Sequence, residues 1–147
     1  MRIWGFAMAR AMNDWIAREW LDRDPRLRAS IVVPQQNADL AVEEIERIAK
    51  DKCFLQVLLL VGSEVTLGRR QNWPICAAAE RLGLTIGIHA GSTFRNPTTP
   101  IGRPSSFTEQ YVNQATAFQS RLTSLITEAV FAKFPDLTVL LMESGVS

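Results

Sequence analysis

The sequence holds a single histidine, His89, among 147 residues, so any histidine chemistry starts or ends there. Cysteine is almost as scarce. Cys53 and Cys76 form no Cys-x-x-Cys pair and stand in apolar surroundings, which predicts two reduced, buried thiols in a cytoplasmic protein. Long hydrophobic runs are missing. The longest, Leu55 to Gly62, is interrupted by Gln56 and is far too short to span a bilayer. Arg2, Trp4 and Phe6 open the chain without the apolar stretch and cleavage site of a signal peptide. An excess of one charge is missing as well: the formal net charge is +1, Arg69-Arg70 is too short to be a nucleic-acid footprint, and no acidic tail appears. What is present is the composition of a soluble globular chain, 47% hydrophobic and 21% charged, of a length that suits one domain.

Periodicity divides that chain into alternating helices and strands. Phe6 to Asp22 reads as a helix, with Met8, Met12, Trp15, Ile16 and Trp20 on its apolar side and Asn13, Asp14, Arg18 and Asp22 opposite. Asp24-Pro25 stops it, because a residue before proline avoids the α region. Arg26 to Val33 reads as a strand. Asn37 suits the N-cap of a second helix, whose apolar stripe is Ala41, Val42, Ile45, Ile48 and Ala49; Glu43, Glu44, Glu46, Arg47 and Lys50 read as its solvated face. Cys53 to Val61 reads as the second strand. The glycines of Gly62 to Arg70 lack the spacing and the lysine of a phosphate loop, so no nucleotide site is expected. Pro74 belongs in the first turn of a third helix, and Gly83 suits its C′ position. Ser106-Phe-Thr-Glu109 is a capping box opening a helix to Phe134, with Tyr111, Ala115, Phe118, Leu122, Ile126 and Ala129 as its apolar face; Leu137 to Met142 reads as a last strand.

The strand Leu84-Thr-Ile-Gly-Ile-His89 carries the functional signal. Leu84, Ile86 and Ile88 make one aliphatic face, while Thr85, Gly87 and His89 make the other. A strand buried between two helical layers needs two apolar faces. This one suits a barrel or a cleft, with His89 at the C-terminal end. Strict alternation of helix and strand implies parallel strands with right-handed crossovers, which leaves an open doubly wound sheet and a (β/α)8 barrel. The faces favour the barrel, whose active sites lie at the C-terminal rim, and the chain has room for about half of one. By strand alternation Val139, Leu141 and Glu143 would share a face, bringing Glu143 to the same rim as His89. The loop from Gly91 to Ser105, with Pro97, Pro100 and Pro104, starts there too, and loops this long are often functional.

The run Arg81-Leu-Gly-Leu-Thr-Ile-Gly-Ile-His-Ala-Gly91, with Phe134-Pro-Asp-Leu-Thr-Val-Leu-Leu-Met-Glu-Ser-Gly-Val-Ser147, resembles the amidohydrolase-related family of metal-dependent TIM-barrel hydrolases and decarboxylases. Asn13-Asp-Trp-Ile, and Asp24-Pro-Arg-Leu-Arg-Ala-Ser-Ile-Val-Val-Pro34, resemble it as well. The resemblance implies that residues 1–147 form the middle of such a domain, lacking its N-terminal and C-terminal parts. It implies that His89 is a ligand of a catalytic divalent metal, commonly zinc. The family's His-x-His pair on the first strand and its late aspartate have no counterpart here. Where the decarboxylase branch places a catalytic histidine, this chain has Glu143, a candidate for contact with substrate or metal-bound water.

The expectation is thus a fragment of a metal-dependent hydrolase or decarboxylase acting on a small organic acid or an amide- or ester-type substrate. A lone imidazole cannot hold a catalytic zinc, which takes three protein ligands, so the chain is expected to be inactive alone. It is also expected to self-associate through its open barrel face. Arg95 and Arg103 in the long loop are candidates to meet an anionic substrate, but read more simply as solvated loop arginines. The alternative is a non-catalytic α/β domain that binds a ligand or partner at its strand ends.

Overall fold

The computed structural model describes residues 2–91 and 102–145; Arg95, Pro97 and Pro100 of the long loop lie outside the described residues. The order is α1 (Arg2–Glu19), β1 (Ala29–Val32), α2 (Ala38–Ile48), β2 (Phe54–Leu60), α3 (Trp73–Leu82), β3 (Thr85–His89), α4 (Phe107–Thr127), α5 (Val130–Lys133) and β4 (Val139–Met142). The four strands form one parallel sheet in sequence order, β1-β2-β3-β4. Sequential parallel order with helical crossovers is the arrangement of a barrel arc.

The faces of the sheet differ as the β3 pattern implied. Ile31, Val57, Leu59, Ile86 and Ile88 are buried in the core, together with Ile45, Ile75, Cys76, Phe118 and Leu125 from the helices. Leu60, Thr85, His89, Leu140 and Met142 alternate with that set and are part-buried or exposed. The β1–β2 register slips between Ala29 and Ser30, which pair with Phe54 and Gln56, so Leu55 is an extra residue. That bulge turns Phe54 into the core and leaves Leu55 exposed.

Local signals form as their chemistry requires. The Asn37 side chain accepts from Leu40 N at 3.1 Å. Gly83 takes φ 65° beyond α3, and Pro74 lies in that helix's first turn. Ser106 and Glu109 make a full capping box. The last helix does not run to Phe134, however: Ala129 turns left-handed at φ 56°, separating α4 from the short α5.

Three assignments of face are corrected. Of the residues expected on the apolar side of the first helix, Met8, Met12, Trp15 and Trp20 are exposed, Trp20 lying just beyond α1, and only Ile16 packs against the core; the buried positions of α1 are Ala9 and Asn13. Asn13, read as solvated, is fully buried because its amide bonds a strand edge. On α2, Glu44 is fully buried rather than solvated; it accepts from Asn13 Nδ2 at 2.8 Å and from Arg47 Nη2 at 2.7 Å. Those bonds to Glu44 are the main reason the Arg47 guanidinium is held protonated more firmly than usual. On α4, Tyr111, Leu122 and Ile126 are exposed, while Ala117, Arg121, Ser124 and Leu125 join Phe118 inside. Cys76 is buried, which pushes its thiol up to about 12, whereas Cys53 is half-buried; both are unpaired. No described helix is long and apolar enough to cross a membrane.

Candidate functional site

His89 ends β3 at the C-terminal rim, pairing with Leu60 on one side and Met142 on the other. Its Nδ1 lies 2.7 Å from the Ala90 carbonyl oxygen. A carbonyl only accepts, so Nδ1 carries the proton and, in the neutral ring, Nε2 carries the lone pair. Nε2 faces Glu143 Oε2 at 3.7 Å, with the His89 side chain 40% exposed and that of Glu143 70% exposed. The two residues singled out from sequence are therefore brought together.

Glu143 does not arrive by the expected route. Val139 and Leu141 pair with Ile86 and Ile88 and pack against the core, leaving Leu140 and Met142 on the side of His89. Simple alternation would send Glu143 to the core side. Instead β4 ends at Met142 and Glu143 adopts φ 60°, a left-handed conformation rare for a residue with a side chain. That turn swings the carboxylate back over the rim toward the imidazole.

The layer of the sheet above Gly87 is filled. It does not form an opening beside His89. A Cβ at Gly87 would stand 2.8 Å from Met142 Cε and 2.9 Å from Gln56 Oε1. Gln56 Nε2 donates in turn to Ser30 Oγ at 2.7 Å. Glycine is needed because neighbouring side chains fill this layer of the sheet.

Arg121 fixes the next stretch of rim. From its buried position on α4 it donates to Val61 O at 2.6 Å, to Val65 O at 2.8 Å and to Ser63 Oγ. Burial lowers its pKa, and these oxygens replace the lost hydration. The clamped segment is tied to β3: Val61 N donates to His89 O at 2.8 Å, and Gly62 N to Gly91 O at 3.0 Å. The polar helix composition around Arg121 gave no sign of burial; its offset of three residues from the buried Phe118 was the available signal.

Beyond Glu143 the rim opens into a cleft of about 570 Å³, bounded by Ala90, Gly91, Phe107, Tyr111, Gln114 and Glu143 among others. Arg103 lies outside its lining.

These donors fit one side of a divalent-metal site and do not complete it. An imidazole whose Nδ1 is held by a carbonyl presents Nε2 as metal ligands commonly do, and a carboxylate stands beside it. A catalytic zinc takes three protein ligands. Among the described residues no group of three or more His, Cys, Asp or Glu side chains is placed to hold a metal ion.

A family profile described as amidohydrolase matches residues 4–147. The chain belongs to the amidohydrolase family. It is 24% identical over 148 residues to a gamma-resorcylate decarboxylase of Polaromonas sp. (strain JS666), an alignment covering 93% of this chain and 44% of that protein. Among solved structures it is similar to an amidohydrolase from Mycobacterium avium subsp. paratuberculosis K-10, with TM-score 0.79, 24% identity, and coverage of 96% of this chain and 38% of that one. It is also similar to a dihydroxybenzoic acid decarboxylase from Polaromonas sp. JS666 with bound manganese and the inhibitor 2-nitroresorcinol. There the TM-score is 0.65, identity is 22%, and coverage is 92% of this chain and 43% of that one. The chain thus spans less than half the length of these relatives.

Proposed function

We propose that this amidohydrolase chain supplies one part of the active-site rim of a metal-dependent hydrolase or decarboxylase acting on a small organic acid. The observation that supports the reading is the His89–Glu143 pair at the C-terminal end of adjacent parallel strands, with Nε2 turned outward. In this reading His89 is one ligand of a divalent metal, zinc or the manganese bound by a relative. When bound, such an ion polarises a substrate oxygen or acidifies a water. Glu143 orients substrate or holds a proton beside the imidazole. With two donors where three are needed, the chain alone is inactive, and self-association through the open barrel face is its means of covering exposed surface. Two unpaired thiols support a cytoplasmic setting.

The test is zinc and manganese titration of ¹⁵N-imidazole-labelled chain. Weak binding that shifts Nε2, spares Nδ1 and vanishes in His89→Ala is expected. A tight site that survives His89→Ala would overturn the metal role. The incomplete donor set favours a second reading, a non-catalytic ligand-binding domain. Turnover of a hydroxybenzoate or an amide by the chain joined to the remaining part of a barrel would exclude it.

A further inference from the structure

One peptide unit joins α4 to the end of β3. The carbonyl of Val61 accepts from Arg121 Nε at 2.6 Å, and the N–H of the same unit, on Gly62, donates to Gly91 O at 3.0 Å. Val61 N donates in addition to His89 O at 2.8 Å. The residues on either side of Ala90 are therefore held by the Val61–Gly62 stretch, and Ala90 N is tied to Met142 O on β4 at 3.3 Å. The Ala90 carbonyl, fixed between these bonds, takes Nδ1 of the His89 ring at 2.7 Å. Packing alone does not call for an arginine at the start of this chain of contacts. The Arg121 guanidinium is buried and meets only neutral oxygens, those of Val61, Val65 and Ser63. Among the described residues no ion pair includes it. A buried charge without a carboxylate is harder to accommodate than an apolar side chain of similar size. What the charge supplies is a stronger bond to Val61 O than a neutral donor makes, and a polarised peptide whose N–H holds Gly91 O more firmly.

We propose that Arg121 is a positioning residue that acts through the Val61–Gly62 peptide to keep the proton of His89 on Nδ1 and its Nε2 lone pair turned to the rim. A histidine side chain free in water favours the opposite tautomer, with the proton on Nε2; a fixed acceptor at Nδ1 reverses that preference. The Ala90 carbonyl is such an acceptor only while the turn that carries it is held in place. The inference deepens the metal-ligand reading of His89 and rests on it for its consequence, because the Nε2–H tautomer has no lone pair to offer at the rim. The tautomer itself is measured without metal or turnover.

The test follows the ring nitrogens of the full chain labelled with ¹⁵N in its imidazole, free of metal, at a pH where the ring is neutral. In the parent Nδ1 should resonate as a protonated nitrogen and Nε2 as an unprotonated one. Arg121→Met removes every donor to the loop, and the ratio of the Nδ1–H to the Nε2–H form should fall about fivefold. Arg121→Lys keeps one charged donor for Val61 O and should fall between that variant and the parent. Asn13→Ala removes buried hydrogen bonds on β1, two strands away, and should leave the ring as in the parent. A ring unchanged in Arg121→Met, or loosened to the same extent in Asn13→Ala, would overturn the proposal. In the parent, scalar couplings across the hydrogen bonds from Arg121 Nε to Val61 O and from Gly62 N to Gly91 O check the relay with no substitution, and absence of either overturns it as well. Zinc titration separates the two readings. A parent without a zinc-induced shift at Nε2, but with a tautomer that depends on Arg121, sinks the metal role and leaves the positioning role standing. A zinc-induced shift with a tautomer indifferent to Arg121 does the reverse.

Discussion

The Asn13 carboxamide closes both hydrogen bonds of Val32: Nδ2 donates to Val32 O at 2.9 Å and Oδ1 accepts from Val32 N at 2.8 Å. Val32 lies on β1, whose other side is paired with β2, so a helix side chain takes here the hydrogen bonds that a neighbouring strand would take. The same Nδ2 reaches Glu44 Oε1 at 2.8 Å, and Arg47 holds Glu44 from the far side. Asn13 and Glu44 are both fully buried.

Asn13→Ala should destabilise the fold by about 2–3 kcal/mol, since it strands the Val32 peptide groups and takes a donor from a buried carboxylate. Urea unfolding checks this. A midpoint unchanged from the parent would mean that water replaces the amide at the strand edge.

Two glycines separate rigid from yielding neighbours. A Cβ at Gly68 would lie 2.2 Å from the Ser124 carbonyl oxygen, part of the α4 backbone. At Gly87 it would meet the ends of the Met142 and Gln56 side chains, which can move. Gly68→Ala should therefore cost about 2–3 kcal/mol or more, as overpacking against backbone does, and should loosen α4 from the Gly62–Arg70 loop. Gly87→Ala should change stability by about 1 kcal/mol or less, because reduced freedom of the unfolded chain offsets part of the crowding. Thermal unfolding of the two variants in parallel decides the order.

These particulars mark where the sequence was legible. The β3 alternation revealed its two faces because a strand has a period of two and each position reports directly. His89 and Glu143 were legible as strand-end residues. The left-handed turn that brings Glu143 over the rim was not, since no glycine or asparagine advertised it. A polar residue type carries no mark of its partner, so nothing in the sequence shows that Asn13, Glu44 and Arg121 are buried. Each is buried through hydrogen bonds to segments at least 19 positions away in sequence. The α1 face hides its surroundings for a related reason. Met8, Met12, Trp15 and Trp20 are spaced as a core stripe, yet all four are exposed. Helical spacing shows that residues share a face; it does not show what covers that face.

That exposed stripe, with Leu60 and Leu140 at the open sheet, predicts concentration-dependent self-association. Light scattering over a dilution series should show particles larger than 16.4 kDa that dissociate on dilution. Leu140→Lys should weaken association if the open sheet is the contact, and Met8→Lys if the α1 stripe is. A monodisperse monomer at high concentration would rule out both surfaces as contacts.

The capping box predicts an acid-sensitive start to α4. Glu109 Oε2 accepts from Ser105 Oγ at 2.7 Å, Ser105 N at 2.7 Å and Ser106 N at 3.0 Å. These bonds favour the carboxylate and hold its pKa below the ordinary 4.5, the Ser105 hydroxyl contributing most. A group whose folded pKa is depressed stabilises the fold fully above its unfolded value, and that contribution fades as pH falls through the folded one. Helix order at Phe107–Tyr111 should therefore be constant from neutral pH down to about 5 and decline below the ordinary glutamate range. Glu109→Gln keeps the capping geometry without the charge, so its amide exchange at these residues should be faster than the parent's at neutral pH and nearly flat into acid. Exchange in the variant that follows the parent's acid profile would assign the transition to another carboxylate. An effect confined to this turn would also alter the cleft, because Phe107 and Tyr111 belong to both.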